Sequence, residues 1–466
     1  MAIKKEPARS AESRAYARPA FLTVPVLKNL VIIILGFTAV YLTCLLWFDK
    51  ISNRDFISTL AASLVYSAPE SAEVRAMIAP YRIMVSLRGE TYGALYSWLA
   101  DTKKDGDAAI ELALKSGEPQ DGEALSWESL LKKKAYIYEY AVPLPADMTP
   151  IKSQAKGSWL IARMSEFDMI IITPELENII VTFVNTASNE VCSYTAADGE
   201  LSARIAQNIS LLTDNSAGLY YVPSTHNGGI IFVPHWRFEA YPYSALEIVN
   251  PYMYQGDLLI AKIEKKIESF FSNPALIVAD KKEAFIYNAG SAVVKYLPND
   301  TVEYFDYSTT EVIGGSSFAA DYHAALDFAS KDSALENEFR MHSFKTEDGQ
   351  TTFYFDYFIN NFPLILPEKT YSEINMRHPI EITVQNRKVI KYRKLAYVFK
   401  PIPLGTETAD FKFNDVMGYI RLAFGSPGSI NLNSLELGYK FEMSTFLRLN
   451  WFLGIDNQTI VYSAKF

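Results

Sequence analysis

The sequence contains almost no cysteine: Cys44 and Cys192 are the only two among 466 residues. Cys44 lies within a long apolar run, so Cys192 is the single cysteine in the rest of the chain. That part therefore forms no internal disulfide, and its size alone must support a hydrophobic core. Exported proteins of oxidising compartments often rely on disulfides. A large body without them is typical of a bacterial envelope protein.

The sequence also lacks the motifs of common enzyme classes. It has no nucleophile elbow G-x-S-x-G, no zinc-binding H-E-x-x-H, no phosphate loop ending in G-K-[ST] and no calcium loop. Residues 314–317 (GGSS) resemble a phosphate loop only in their glycines, because the lysine is missing. A loop that caps a helix explains them better. We predict no catalytic residue and no cofactor.

Histidine is scarce and dispersed. The five histidines are His226, His235, His323, His342 and His378. None has another histidine at the short spacing of a metal-binding motif, so we predict no metal ligand. His235, Arg237 and Glu239 alternate and would share one face of a strand. They form either an ion pair on a surface strand, which we favour, or a ligand or catalytic site.

Basic residues are fewer than acidic ones, and the imbalance is concentrated in the main body of the chain. The chain has 44 basic and 53 acidic residues, a net charge of −9. Residues 1–28 hold six basic and two acidic residues, so residues 29–466 hold 38 basic and 51 acidic ones. Such an acidic body argues against a nucleic-acid partner. The residues identify no small-molecule substrate.

One long hydrophobic run is present. Residues 29–48 are twenty residues without a charge, and a helix of that length spans about 30 Å, the thickness of a bilayer core. Basic residues before the run predict a cytoplasmic N-terminus and an extracytoplasmic body. A cleaved signal peptide is the alternative, but its apolar region would be shorter and followed by small residues. We predict a single-pass protein of the cell membrane.

The predicted span carries a narrow face of small residues, Gly36, Ala39 and Thr43. Such a face lets another helix approach closely. These three residues are our candidate partner-binding site within the membrane.

The body predicts an α+β fold of two or three domains. The whole chain has 29 tyrosines and 28 phenylalanines. This aromatic content favours strands with aromatic cross-strand pairs. Strands separated by polar turns predict antiparallel sheets with packed helices, and helices are predicted over 257–271 and 318–338. The predicted divisions are a basic tail at 1–28, the span at 29–48, and domains at 49–242, 243–340 and 341–466.

The order of segments resembles the YycH-type (WalH) regulatory proteins of Gram-positive bacteria, which include the shorter sister family YycI. The resemblance covers most of the body and rests on packing and turn patterns. The segments that carry it are 79–85 (APYRIMV), 126–131 (SWESLL), 138–145 (YEYAVPLP), 166–172 (EFDMIII), 270–274 (FFSNP), 302–304 (VEY), 355–364 (FDYFINNFPL) and 389–394 (VIKYRK).

The resemblance implies a non-enzymatic accessory regulator of a cell-wall-sensing two-component histidine kinase. Its transmembrane helix and extracytoplasmic body would contact the membrane sensor kinase, with a YycI-like sister protein as a further partner. Regulation of this kind needs only a difference in affinity for two kinase conformations. Two alternatives stay open: an envelope scaffold or assembly factor, and a cell-wall hydrolase that uses an unidentified Asp/Glu pair.

Overall fold

The computed structural model describes the body of the chain between residues 79 and 463, with short gaps. The gaps are residues 89–90, 96–99, 121–126, 149–156, 215–218, 227–228, 235–239, 255–256, 259, 272–277, 281–284, 309–316, 361, 411–412, 425–431, 443–445 and 456–457.

The first half of the body forms a nine-stranded sheet in which every neighbouring pair is antiparallel, in the order β3-β7-β6-β5-β4-β1-β2-β8-β9. Its strands are β1 (Arg82–Arg88), β2 (Thr91–Leu95), β3 (Glu118–Gln120), β4 (Ala135–Pro145), β5 (Glu166–Glu175), β6 (Asn178–Asn185), β7 (Glu190–Ala197), β8 (Leu219–His226) and β9 (Gly229–Pro234). Consecutive residues Ile170, Ile171 and Ile172 are all buried, so the centre of this sheet is covered on both faces.

Helices pack on this sheet through close approaches to its strands. They are α1 (Ala100–Ser116), α2 (Trp127–Leu131), α3 (Gly157–Arg163) and α4 (Gly199–Asp214), with a 3₁₀ turn at Ala146–Met148. Helix α1 contains Gly106, where a Cβ atom would lie 2.2 Å from the Tyr138 hydroxyl oxygen. That hydroxyl donates to the Lys103 carbonyl oxygen at 2.9 Å. The glycine therefore allows a direct bond between helix and sheet.

Two smaller sheets follow. Strand β10 (Ala240–Val249) pairs with β22 (Val398–Asp410) and with β24 (Phe446–Leu447), so this three-stranded sheet draws on distant parts of the chain. Strands β11 (Met253–Tyr254) and β12 (Asp257–Leu258) form a short two-stranded sheet.

A twelve-stranded sheet forms the second half of the body. Its order is β13-β14-β15-β16-β21-β20-β18-β19-β23-β25-β26, and β17 pairs with β18 outside this order. Strands β19 and β23 are parallel. The strands are β13 (Val278–Asp280), β14 (Phe285–Ala289), β15 (Ala292–Tyr296), β16 (Thr301–Asp306), β17 (Glu338–Glu347), β18 (Gln350–Ile359), β19 (Phe362–Ile365), β20 (Ile380–Gln385), β21 (Lys388–Leu395), β23 (Leu432–Lys440), β25 (Leu449–Ile455) and β26 (Gln458–Tyr462).

The second half also contains α5 (Ile260–Ile267), a 3₁₀ turn at Glu268–Phe270, α6 (Phe318–Ala329), α7 (Glu368–Ile374) and α8 (Phe413–Phe424). Both helices predicted there are shorter than expected. The predicted 257–271 helix begins at Ile260, because Asp257 and Leu258 pair as a strand. The predicted 318–338 helix ends at Ala329, because the chain turns at Asp332, whose side chain accepts a hydrogen bond from the Ala334 amide.

The α+β class and the antiparallel sheets are confirmed. Buried side chains of both large sheets belong to one hydrophobic cluster, and strands on either side of residue 340 share a sheet. The predicted domain limits themselves stay predictions. Among the described residues, no helix is both long and apolar enough to cross a bilayer. The predicted span at 29–48 lies outside those residues.

A buried ion pair holds the turn after α6 to the large sheet. Lys394 Nζ lies 2.5 Å from Asp332 Oδ2, and their side chains are 1% and 0% exposed. The Tyr392 hydroxyl donates to the same carboxylate at 2.9 Å. Burial lowers the pKa of Lys394, and the Asp332 charge opposes that shift. Each ion therefore depends on the other for its charge to be tolerated in the core.

We expect Lys394→Met to lower the free energy of unfolding by about 3 to 5 kcal/mol, because it leaves the Asp332 charge buried and unpaired. Urea unfolding of the purified protein measures this. Lys400→Met is the matched control: Lys400 and Glu336 are about half exposed and 3.6 Å apart, so its cost should stay below about 1 kcal/mol. Equal effects of the two variants would contradict the role of the buried pair.

A second ion pair makes the stability of the large sheet depend on pH. Lys388 Nζ lies 2.6 Å from Asp306 Oδ2 at the end of β16, and Ser291 and the Ser308 amide donate to Oδ1 at 2.9 and 2.8 Å. Burial alone would raise the pKa of Asp306, but these donors lower it to about 2. Because the folded pKa is depressed, this stabilisation is complete above about pH 4 and is lost as the pH falls towards 2.

We expect Asp306→Asn to lower the free energy of unfolding by about 2 kcal/mol at neutral pH. The difference from the unchanged protein should shrink towards zero as the pH falls from about 4 to about 2. Urea unfolding over a pH series tests this, with Asp327→Asn as the control because Asp327 is exposed on α6. A difference that stays constant across the series would exclude this titration.

Candidate functional site

The site with the greatest concentration of polar chemistry centres on Asp356, in the middle of β18. This carboxylate is 4% exposed. His378 Nδ1 lies 2.9 Å from Asp356 Oδ1, and His342 Nδ1 lies 2.8 Å from Asp356 Oδ2. The two imidazole rings are 4.5 Å apart between centroids. Two histidines therefore flank one buried carboxylate.

The backbone explains how these side chains meet. Arg340 on β17 is directly opposite Asp356 on β18, and the register shifts between Met341 and Ser343, which leaves His342 as the bulged residue. A bulge re-aims a side chain and interrupts the regular alternation of faces. His378 reaches the same carboxylate from the segment that leads into β20.

Tyr81 brings the first half of the body into the site. It precedes β1, and its hydroxyl donates to Asp356 Oδ2 at 3.2 Å and to Glu436 Oε2 on β23 at 3.4 Å. Arg340 Nη1 donates to the Tyr81 carbonyl oxygen at 2.8 Å, and its guanidinium lies over the Phe358 ring at 4.1 Å. One tyrosine thus connects two carboxylates and an arginine of the large sheet to the nine-stranded sheet.

The charges of the cluster are strongly coupled. Burial works to raise the pKa of Asp356, but the two neighbouring histidines hold it far below its ordinary value. Burial works to lower the pKa of His342, and Asp356 raises it to about 9. Burial raises the pKa of Glu436 to about 7, although Arg82 and His342 oppose the shift. Asp356 is therefore ionised at neutral pH, whereas Glu436 readily takes up a proton.

Two carboxyl groups with separated pKa values are the usual arrangement of an acid/base pair. In this site, however, both oxygens of Asp356 already contact His342, His378 or Tyr81. A substrate would have to displace these partners from a buried position. The arrangement suits the holding of a cation or the locking of the two sheets better than acid/base catalysis.

A second concave region lies between α1 and α4. It is a groove of about 360 Å³, lined by Ala108, Glu111, Leu112, Lys115, Asp198, Glu200, Leu201 and Arg204. Asp198 accepts a hydrogen bond from the Leu201 amide at 2.9 Å, and Arg204 pairs with Asp105 at 2.8 Å. These two charged residues are therefore engaged in capping and in an ion pair.

The site residues predicted from sequence are not among the described residues. Gly36, Ala39 and Thr43, together with the 235–239 segment, are outside the described residues, so their roles stay predictions. The predicted absence of catalytic and metal-binding residues also stays a prediction. His342, Asp356 and His378 were missed because they come from separate segments. Prediction of this cluster from sequence would have required the β17–β18 register and its bulge to be known.

We expect Tyr81→Phe to lower the free energy of unfolding by about 1 to 2 kcal/mol, because it removes a donor to two carboxylates while the ring still packs. Burial raises the pKa of Tyr81 far above its ordinary value, so the hydroxyl keeps its proton and donates at all working pH values. Urea unfolding measures the loss. Tyr307→Phe is the control, because Tyr307 is 67% exposed. A loss no greater than that of the control would show that the bridge contributes nothing.

Comparison with solved structures identifies the fold. The crystal structure of YycH from Bacillus subtilis matches with a TM-score of 0.55 and 10% sequence identity, over 85% of this chain and 98% of that chain. The C-terminal domain of YpeB from Bacillus megaterium matches with a TM-score of 0.26 and 11% identity, over 44% of this chain and 97% of that chain. No protein-family model and no curated protein matches the sequence. The chain has a YycH-like fold, as its sequence resemblance predicts.

Proposed function

We propose that this protein is a membrane-anchored accessory regulator of a sensor histidine kinase and acts by contact with its partners, without turnover of a substrate. The observation that carries the proposal is the similarity to YycH along almost the whole of that chain. In the proposal, residues 29–48 cross the cell membrane once, the N-terminus is cytoplasmic and the body is extracytoplasmic. The kinase, and a YycI-like sister protein, are the partners.

The contacts of Tyr81, near the start of the described body, support this mode of action. Tyr81 lies among the first described residues of the body, and its hydroxyl and carbonyl groups bond to Asp356, Glu436 and Arg340. A displacement of the body by a partner would therefore act directly on the segment that leads back to the anchor. Regulation then needs only that one kinase conformation is bound better, by about 1 to 3 kcal/mol.

The test is affinity purification of the full-length chain from detergent-solubilised membranes of its own organism, followed by mass spectrometry. We expect a sensor histidine kinase among the enriched proteins. We also expect Gly36→Leu to reduce its recovery several-fold and to alter expression of genes under that kinase, because leucine blocks close helix approach. The near-ultraviolet circular dichroism of the body should not change.

Thr38→Leu is the matched control. It adds the same side chain at about 200° around the helix from Gly36, away from the small-residue face, so recovery of the kinase should be unchanged. Loss of the kinase with both variants would refute that face as the contact. Absence of any kinase from the unchanged preparation would refute the proposed function. Hydrolysis of purified cell-wall polymer would favour the hydrolase alternative instead.

A further inference from the structure

The cluster around Asp356 has the donor set of a metal site. One ring nitrogen of His342, one ring nitrogen of His378 and one carboxylate oxygen of Asp356 all lie within 4.8 Å of one another. Imidazole nitrogen and carboxylate oxygen are ligands that divalent transition metals accept, and two histidines with one acidic residue are a common protein ligand set for zinc.

One ring nitrogen of the cluster lacks a hydrogen-bond partner. His342 Nδ1 is buried and makes no hydrogen bond among the described residues, although Asp356 Oδ2 is only 2.8 Å away. The nitrogen and the oxygen are thus close without the alignment of a hydrogen bond. Buried polar atoms are almost always satisfied. A cation that accepts a lone pair from each of the two atoms would satisfy His342 once their side chains move slightly apart.

The surroundings of Asp356 also fit a metal ligand. A ligating carboxylate is usually held by an outer hydrogen bond, and Tyr81 supplies one at 3.2 Å. The side chain of His342 is 41% exposed and that of His378 is 17% exposed. The two histidine side chains therefore lie between solvent and the donor atoms, whereas Asp356 closes the inner side.

The charge of the neighbourhood accommodates a divalent cation. Asp356 and Glu436 are the carboxylates bridged by Tyr81. The nearby guanidiniums are balanced, since Arg340 pairs with Glu338 at 2.9 Å and Arg82 pairs with Glu139 at 2.6 Å. A divalent ion would displace any proton from the two imidazoles as it binds, and it would then offset the charge of the Asp356 carboxylate.

We propose that His342, Asp356 and His378 bind one divalent transition-metal ion, for which Zn²⁺ is the best match. The ion joins β17, β18 and the segment before β20, and Tyr81 extends this connection to β1. The site is independent of the proposed kinase partnership, because it needs only the folded chain.

Isothermal titration of the full-length protein in detergent with ZnCl₂, after chelator treatment and dialysis, tests the site. We expect one ion per chain and a higher melting temperature with the metal. His342→Ala and His378→Ala should each weaken binding by at least about 100-fold, since even the loss of an outer-shell partner costs about 10- to 100-fold. Co²⁺ should give visible absorption bands in the unchanged protein that both variants lose.

His323→Ala is the matched control, because it removes a histidine of α6 that lies outside the cluster. It should leave affinity, stoichiometry and the cobalt spectrum unchanged. His342→Ala is the decisive variant, and circular dichroism would verify that it keeps the fold. If it does not, His342→Gln takes its place, because glutamine keeps a polar side chain beside Asp356. The proposal is overturned if the unchanged protein binds neither ion, or if His342→Ala binds zinc as tightly as His323→Ala.

Discussion

The burial of the Asp356 carboxylate is the constraint around which the two halves of the body are organised. A charge in the protein interior is tolerated only with close partners, and no single strand supplies enough of them. The bulged β17 provides His342, the segment before β20 provides His378, and the start of β1 provides Tyr81. The requirement for partners around this one carboxylate therefore fixes the positions of several elements.

Much of the architecture could be predicted from sequence. Aromatic residues lie on both faces of the alternating segment 353–360, a pattern typical of a central strand, and β18 pairs with β17 on one side and with β20 on the other. The helix ends were less predictable. The predicted helix continues past Ala329, but in the structure Asp332 pairs with Lys394 across the core. A local pattern contains no information about such a partner.

The cluster itself could not be predicted, for a physical reason. Short sequence spacing reveals a site only when one helix or one loop carries its ligands. His342 and His378 stand on different segments, and the bulge at His342 breaks the alternation that would have assigned it to a face. Tyr81 is 275 positions from Asp356. Tertiary pairing, and not local propensity, creates this arrangement.

The bond between Tyr81 and Glu436 spans 355 positions, and this separation has a consequence for biosynthesis. A ribosome must reach Glu436 before the Tyr81 hydroxyl can meet this partner. Contacts of such range slow folding, because the intervening loop must close before they stabilise anything. The segment at Tyr81 would therefore lack this contact until then, which gives chaperones a long period in which to act on it.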